Sequence, residues 1–99
     1  MSIPKSAKEL LKPGVVSIIS LTYCPYCDKA KSLLKSLGVS FDSYEVDFLE
    51  YPEELNEQFH SLSGIRTYPK NFIGEVSIGG FDSLSAALKS GKLYQILES

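Results

Sequence analysis

The chain is short of cysteine, having two among its 99 residues, and shorter still of histidine, having only His60. Two cysteines three positions apart, Cys24 and Cys27, do not make a disulfide scaffold. One cross-link around two residues removes little loop entropy from the unfolded chain. A zinc site needs about four ligands, and two thiols plus His60 fall short. His60 is expected on a helix, satisfied or facing solvent. A surplus of charge is also missing: the formal net charge is -2, and Lys5, Lys8, Lys12, Lys29, Lys31 and Lys35 are interspersed with acids. Neither nucleic acid nor an anionic membrane is expected as a partner. No apolar run approaches the roughly 20 residues of a membrane span, and "MSIPKSAKELLKPG" lacks a signal-peptide core. A cytoplasmic location is expected, with a processed organellar form as the alternative. Internal repeats, linkers and low-complexity segments are absent too. With 43% hydrophobic residues and 22% charged, one soluble domain over residues 1–99 is expected.

What is present reads as alternating elements. Ile3, Ala7, Leu10 and Leu11 fall at helical spacing behind Pro4, and "KPG" at Lys12–Gly14 stops them. Val15–Leu21, "VVSIISL", is β-branched and almost continuously apolar, the pattern of a central strand covered on both faces. Ala30, Leu33, Leu34 and Leu37 form a helical stripe that ends at Gly38. Ser40–Val46 returns as a strand, completing a right-handed βαβ unit. "YPEELNEQFHSLSG" predicts a third helix carrying Leu55, Phe59 and Leu62 on one face. "NFI" and "VSI", joined by Gly74 and Glu75, predict an antiparallel hairpin. "GGFDSLSAALKSG" predicts a helix capped by Asp82 or Ser83, and "KLYQIL" adds a further turn or two. The sum is an α/β protein with a four-stranded mixed sheet, a parallel βαβ half plus an antiparallel ββα half, flanked by helices. That is the thioredoxin-like architecture.

Cys24 falls where the first strand gives way to a helix, with Pro25 at the first helical position. Unpaired N–H groups and the helix dipole favour an anion there, so the Cys24 thiol is expected to ionise below the usual value of about 8.5. Asp28 in the same turn works against this. Cys27, three residues on, comes round to the same side one layer deeper, placed to attack a mixed disulfide at Cys24. A buried pair of free cysteines is the bland alternative. Pro25 and the strand-to-helix position favour redox chemistry.

Three segments, "TYCPYC" at Thr22–Cys27, "RTYP" at Arg66–Pro69 and "GGFDSL" at Gly79–Leu84, resemble the signatures of the dithiol glutaredoxins in order and spacing. Thioredoxins typically carry Trp-Cys-Gly-Pro-Cys, and this chain has no Trp; monothiol glutaredoxins carry Cys-Gly-Phe-Ser, which Cys27 breaks. The resemblance implies a glutathione-dependent thiol-disulfide oxidoreductase acting on glutathionylated proteins, small mixed disulfides and protein disulfides. Cys24 is then the nucleophile and Cys27 the resolving thiol. Glutathione serves as electron donor, no metal is needed, and a monomer is expected. It further implies a cis Pro69 that holds Tyr68 beside the cysteines, with Tyr26, Thr67, Tyr68 and Pro69 on one wall of a glutathione groove. Gly80, Phe81, Asp82 and Ser83 make the other end, their N–H groups meeting the γ-glutamyl carboxylate and Asp82 its ammonium.

The pattern is broken in places. Leu21 stands where the family usually has Lys, Tyr68 where it has Val, and Ser83 where a second Asp is common. On the third helix Asn56 and Gln58 are the candidates for a contact to the glycyl carboxylate of glutathione, with Arg66 as a substitute cation. Two other functions compete: a dimeric iron-sulfur carrier ligated through Cys24 and glutathione, and an oxidoreductase reduced by a thioredoxin reductase or a protein partner.

Overall fold

A computed structural model describes residues 7–49 and 52–98, in which β-branched and apolar segments pair as strands and amphipathic ones lie over them as helices. Their order is α1 (Ala7–Leu10), β1 (Val16–Ser20), α2 (Pro25–Ser36), β2 (Phe41–Glu45), a 3-10 turn (Val46–Phe48), α3 (Pro52–Ser63), β3 (Lys70–Ile73), β4 (Val76–Gly79), α4 (Phe81–Ser90) and α5 (Lys92–Glu98). The expected first helix is seen from Ala7; Ile3 and Pro4 lie outside the described residues. Strand order is β2-β1-β3-β4. β1 runs parallel to β2, with Val16 opposite Phe41, and antiparallel to β3, with Val16 opposite Ile73. β3 and β4 form the expected antiparallel hairpin. The mixed, thioredoxin-like sheet is therefore as expected.

Every residue of β1 and of β3 is buried, whereas the edge strands β2 and β4 are only partly covered. Side chains alternate across the pleat, so the two faces of the sheet collect different cores. Val16, Ile18 and Ile73 pack with Ala30 and Leu34 of α2, Leu84, Ala87 and Leu88 of α4, and Leu93 of α5. Ile19 and Phe72 pack on the opposite face with Ala7, Leu11, Val46, Leu55 and Phe59. Full burial of one Phe or Ile contributes on the order of 1.5–3 kcal/mol, so these two clusters supply most of the drive to fold. α2 ends as its sequence requires: Leu37 N–H bonds back to Leu33 O and Leu34 O, and Gly38 follows in the left-handed region at φ +72°.

One boundary differs from the sequence reading in a way that shapes the site. The cap of α4 is Gly80, not Asp82 or Ser83, and it makes no side-chain cap bond. Phe81 packs against the first core and opposite Tyr26, which draws the helix start two to three residues earlier. Asp82 and Ser83 are then inside the first turn. Gly79 precedes the cap at φ +102°, and a Cβ there would meet Ser83 Cβ and Oγ at 2.9 Å. Gly79→Ala should therefore lower stability by about 1–3 kcal/mol, measured by urea denaturation. An unchanged midpoint would show that the turn relaxes freely.

Candidate active site

β1 delivers the chain to Leu21, and a short loop carries it into α2. Thr22 donates from its backbone N–H (3.1 Å) and its hydroxyl (2.6 Å) to the Asp47 carboxylate, tying this loop to the turn after β2. Those bonds hold the Asp47 carboxyl below its ordinary value. Cys24 N–H then closes a turn onto Leu21 O at 3.2 Å. Cys24 is the N-cap of α2, with extended backbone at φ -105° and ψ 108°, and its sulfur accepts from Cys27 N–H at 3.2 Å. The sulfur thus occupies the place a capping oxygen takes in most helices, at the positive end of the dipole.

The two thiols are not equivalent. Cys24 is half-buried, and Cys27 is fully enclosed. Burial, followed by the contact with Cys24, pushes the Cys27 thiol up to about 12, against smaller opposing pulls from the Leu21 backbone and then Lys31. Cys27 therefore keeps its proton at neutral pH, and Cys24 is the sulfur that an outside disulfide can reach. One thiol of the pair is open to an outside disulfide, and the other lies enclosed behind it.

Of the other predicted residues, Tyr68 lies near the pair, while Tyr26 meets Phe81 and Gly80 meets Pro69. The Tyr26 ring, exposed over the first turn of α2, lies 5.9 Å from that of Phe81, joining the starts of α2 and α4. Tyr68–Pro69 is a cis peptide, and Gly80 sits against it, so that a Cβ at Gly80 would lie 3.8 Å from Pro69 O. Tyr68 is near enough for the Cys27 charge to act on it. Burial first, then the charges of Cys27, Tyr23 and Asp47, raise its phenol to about 12. Thr67 is exposed, with its carbonyl turned inward to Lys70. Asp82 and Ser83 lie exposed at the start of α4.

Of the two helix-three candidates, Gln58 accepts from Ala7 N–H and so is engaged with α1. Asn56 is half-buried, with Oδ1 lacking a partner among the described residues. Arg66 is exposed and engaged with Glu57 (3.4 Å) and His60 Nδ1 (3.3 Å). Leu21 packs against the second core, which accounts for an apolar residue there.

Two residues escaped the sequence reading. Lys70 is fully buried, the one cation so placed among the described residues. It donates to Thr67 O at 2.8 Å and lies 3.6 Å over the Tyr68 ring, with Cys27, Arg66 and His60 as charged or titratable neighbours. Desolvation pushes its ammonium down to about 8. Asn71 follows it, also fully buried. A polar pair opening a strand that continues as Phe72 and Ile73 was the available signal.

A thioredoxin-like sheet with an enclosed and an accessible thiol at one helix N-terminus, beside a cis proline, defines a thiol-disulfide oxidoreductase. The sequence profile of the family described as "Glutaredoxin" matches residues 16–78. A glutaredoxin of Solanum lycopersicum is 39% identical over 97 residues, spanning 98% of this chain and 89% of that protein. Glutaredoxin-C2 of Arabidopsis thaliana is 39% identical, spanning 94% and 84%. Among solved structures, the holo form of glutaredoxin C1 from Populus tremula x tremuloides has TM-score 0.82 and 35% identity, with 93% and 91% of the chains covered. The buckwheat glutaredoxin-glutathione complex has TM-score 0.82 and 33% identity, covering 93% and 84%. The chain belongs to the glutaredoxin family, whose members are thiol-disulfide oxidoreductases.

Lys70 provides a test of the site's electrostatics. Its proton is bound more weakly in the folded chain, at about 8, than in the unfolded chain, near 10.5. Between those values the unfolded state holds more protons, so this group's contribution to stability rises with pH across that window. Relative to Lys70→Met, the wild type should gain stability from about pH 8 to 10.5 and show a constant difference below. Urea denaturation of both proteins across that range reads the effect; parallel stability curves would refute it.

Proposed function

We propose that the protein is a glutathione-disulfide oxidoreductase that removes glutathione from glutathionylated proteins and small mixed disulfides and reduces protein disulfides. The observation that carries this reading is the accessible Cys24 sulfur capping α2 in front of the enclosed Cys27, with the Gly79–Gly80 turn beside Pro69. As thiolate, Cys24 attacks the glutathione sulfur of a mixed disulfide. A Cys24–glutathione disulfide forms, the original sulfur–sulfur bond breaks, and the reduced protein thiol leaves with a proton from solvent. A second glutathione thiolate then attacks the glutathione sulfur, releasing glutathione disulfide and regenerating Cys24. Cys27 offers another exit. Once it gives up its proton it displaces glutathione to form Cys24–Cys27, which two glutathiones reduce in turn.

The binding groove follows from the same residues. Tyr68, with its backbone N–H and C=O, pairs the cysteinyl unit of glutathione like an added strand, between Thr67 and Pro69. Because Gly80 caps α4 without a side-chain bond, the first-turn N–H groups of Phe81, Asp82 and Ser83 are left for the γ-glutamyl carboxylate, while the Asp82 carboxylate meets the ammonium. Tyr26 closes the groove over Phe81. On the third helix, Asn56 is the candidate not engaged with α1, and its amide N–H would be the donor to the glycyl carboxylate. The buckwheat relative solved with glutathione supports the ligand class.

Cys24→Ser should abolish turnover of every disulfide, since a hydroxyl does not ionise to a comparable nucleophile near neutral pH. Cys27→Ser should retain deglutathionylation and lose most protein-disulfide reduction. Coupled assays over a glutathione series check both; deglutathionylation that survives in Cys24→Ser but not in Cys27→Ser reverses the roles. A rate that does not depend on glutathione, yet runs with a thioredoxin reductase, replaces the electron donor.

A further inference from the structure

We propose that Asn71 is a positioning residue that aims the backbone of the Gly79–Gly80 turn, and thereby sets how tightly the site holds the γ-glutamyl end of its thiol substrate. The inference rests on the glutathione reading above.

Asn71 lies in an interior strand, opposite Ile18 of β1 on one side and Gly79 of β4 on the other, and is fully buried. The buried apolar residues Ile18, opposite in β1, and Phe72 and Ile73, following in β3, surround it, with the buried Lys70 before it. An amide is present in that setting, and its Nδ2 donates to two carbonyls at once, Gly79 O at 3.0 Å and Gly80 O at 3.2 Å. Its Oδ1 meets no partner among the described residues. The side chain therefore tolerates a buried, unsatisfied acceptor, a cost to the fold, while both amide hydrogens go to one turn.

The consequence follows from peptide geometry. In a trans peptide unit the C=O and the next N–H point in opposite directions. Drawing Gly79 O and Gly80 O toward Asn71 turns the N–H groups of Gly80 and Phe81 away from the strand. Gly80 O also accepts the first helical bond of α4, from Leu84 N–H at 3.0 Å, so the Asn71 bond is a second restraint on the plane that carries Phe81 N–H. The ladder between β3 and β4 shifts register between Asn71 and Phe72, and Asn71 pairs with Gly79 beyond the shift. The amide adds a side-chain restraint to the strand end at that irregularity. An anion meeting Phe81 N–H finds the donor already oriented, which lowers the ordering cost of binding.

The test uses the full chain and the variant Asn71→Leu, which keeps a similar volume and removes the donor. In the mixed-disulfide assay at fixed glutathione the apparent KM for a glutathionylated substrate should rise by about threefold to tenfold, with kcat within about twofold. The apparent KM for the same substrate linked instead to cysteinylglycine, which lacks the γ-glutamyl unit, should be unchanged. The thermal midpoint should hold or rise, because the orphaned Oδ1 is gone. An unchanged KM for the glutathionylated substrate in the folded variant would overturn the proposal. So would an equal loss with both substrates, which marks general damage. Should Asn71→Leu fail to fold, titration of the wild type with S-methylglutathione decides: the Phe81 amide proton should move downfield, and an unmoved signal refutes the assignment. A wild type that does not turn over the glutathionylated substrate in preference to the cysteinylglycine one would sink the glutathione reading and this proposal together, whereas a wild type with that preference, matched by Asn71→Leu, would sink the proposal alone.

Discussion

An interior strand buried on both faces must pair every backbone group and cover every side chain, and β1 and β3 impose that requirement on the whole chain. Two faces need two covers. α2, α4 and α5 lie on one and α1 and α3 on the other, each presenting an apolar stripe to Val16, Ile18 and Ile73 or to Ile19 and Phe72. Side chains with chemistry to perform are pushed to the strand ends. The end of β1 leads to Cys24, the start of β3 follows Pro69, and the end of β4 is the Gly79–Gly80 turn.

The same constraint makes two chemically identical thiols into different reagents. A helix starting just beyond the end of an interior strand leaves its cap reachable while its next turn faces the interior. Cys24 is accordingly accessible, and Cys27, three residues on, is enclosed and holds its proton up to about 12. Two cations act on Cys27, Lys31 of α2 and the buried Lys70, which contacts Thr67 O and the Tyr68 ring, while Leu21 continues the core.

Much of this was legible from residue order. Continuous apolar character in Val15–Leu21 marks an interior strand because only double-sided burial tolerates it, and the structure bounds it at Val16–Ser20, with Val15 O accepting from Gly74 N–H and Leu21 O from Cys24 N–H at its two ends. The helical stripes at Leu33, Leu34, Leu55 and Phe59 face the sheet as their spacing dictates. Where the reading slipped, a tertiary contact outweighed a local preference. Asp82 and Ser83 are good caps in isolation, yet burying Phe81 beside Tyr26 starts α4 at Phe81 with Gly80 as its cap. Gln58 has the right chemistry for a groove and faces α1 instead, since a helix has only one side toward the site.

The sequence alone determined the class of protein: Cys24, Pro25 and Cys27 at a strand-to-helix junction, followed by "RTYP" and "GGFDSL", specify the order in which strand ends and thiols appear, and local periodicity carries that information. Only the tertiary structure decided which polar residues serve the site. The contacts of Lys70 with Thr67 O and the Tyr68 ring are local, and Asn71 reaches two glycine carbonyls only eight and nine residues further on. Their burial is not local: it comes from pairing β3 with β1, Asn71 opposite Ile18, a long-range register set by the packing of two cores, which no short window of sequence contains.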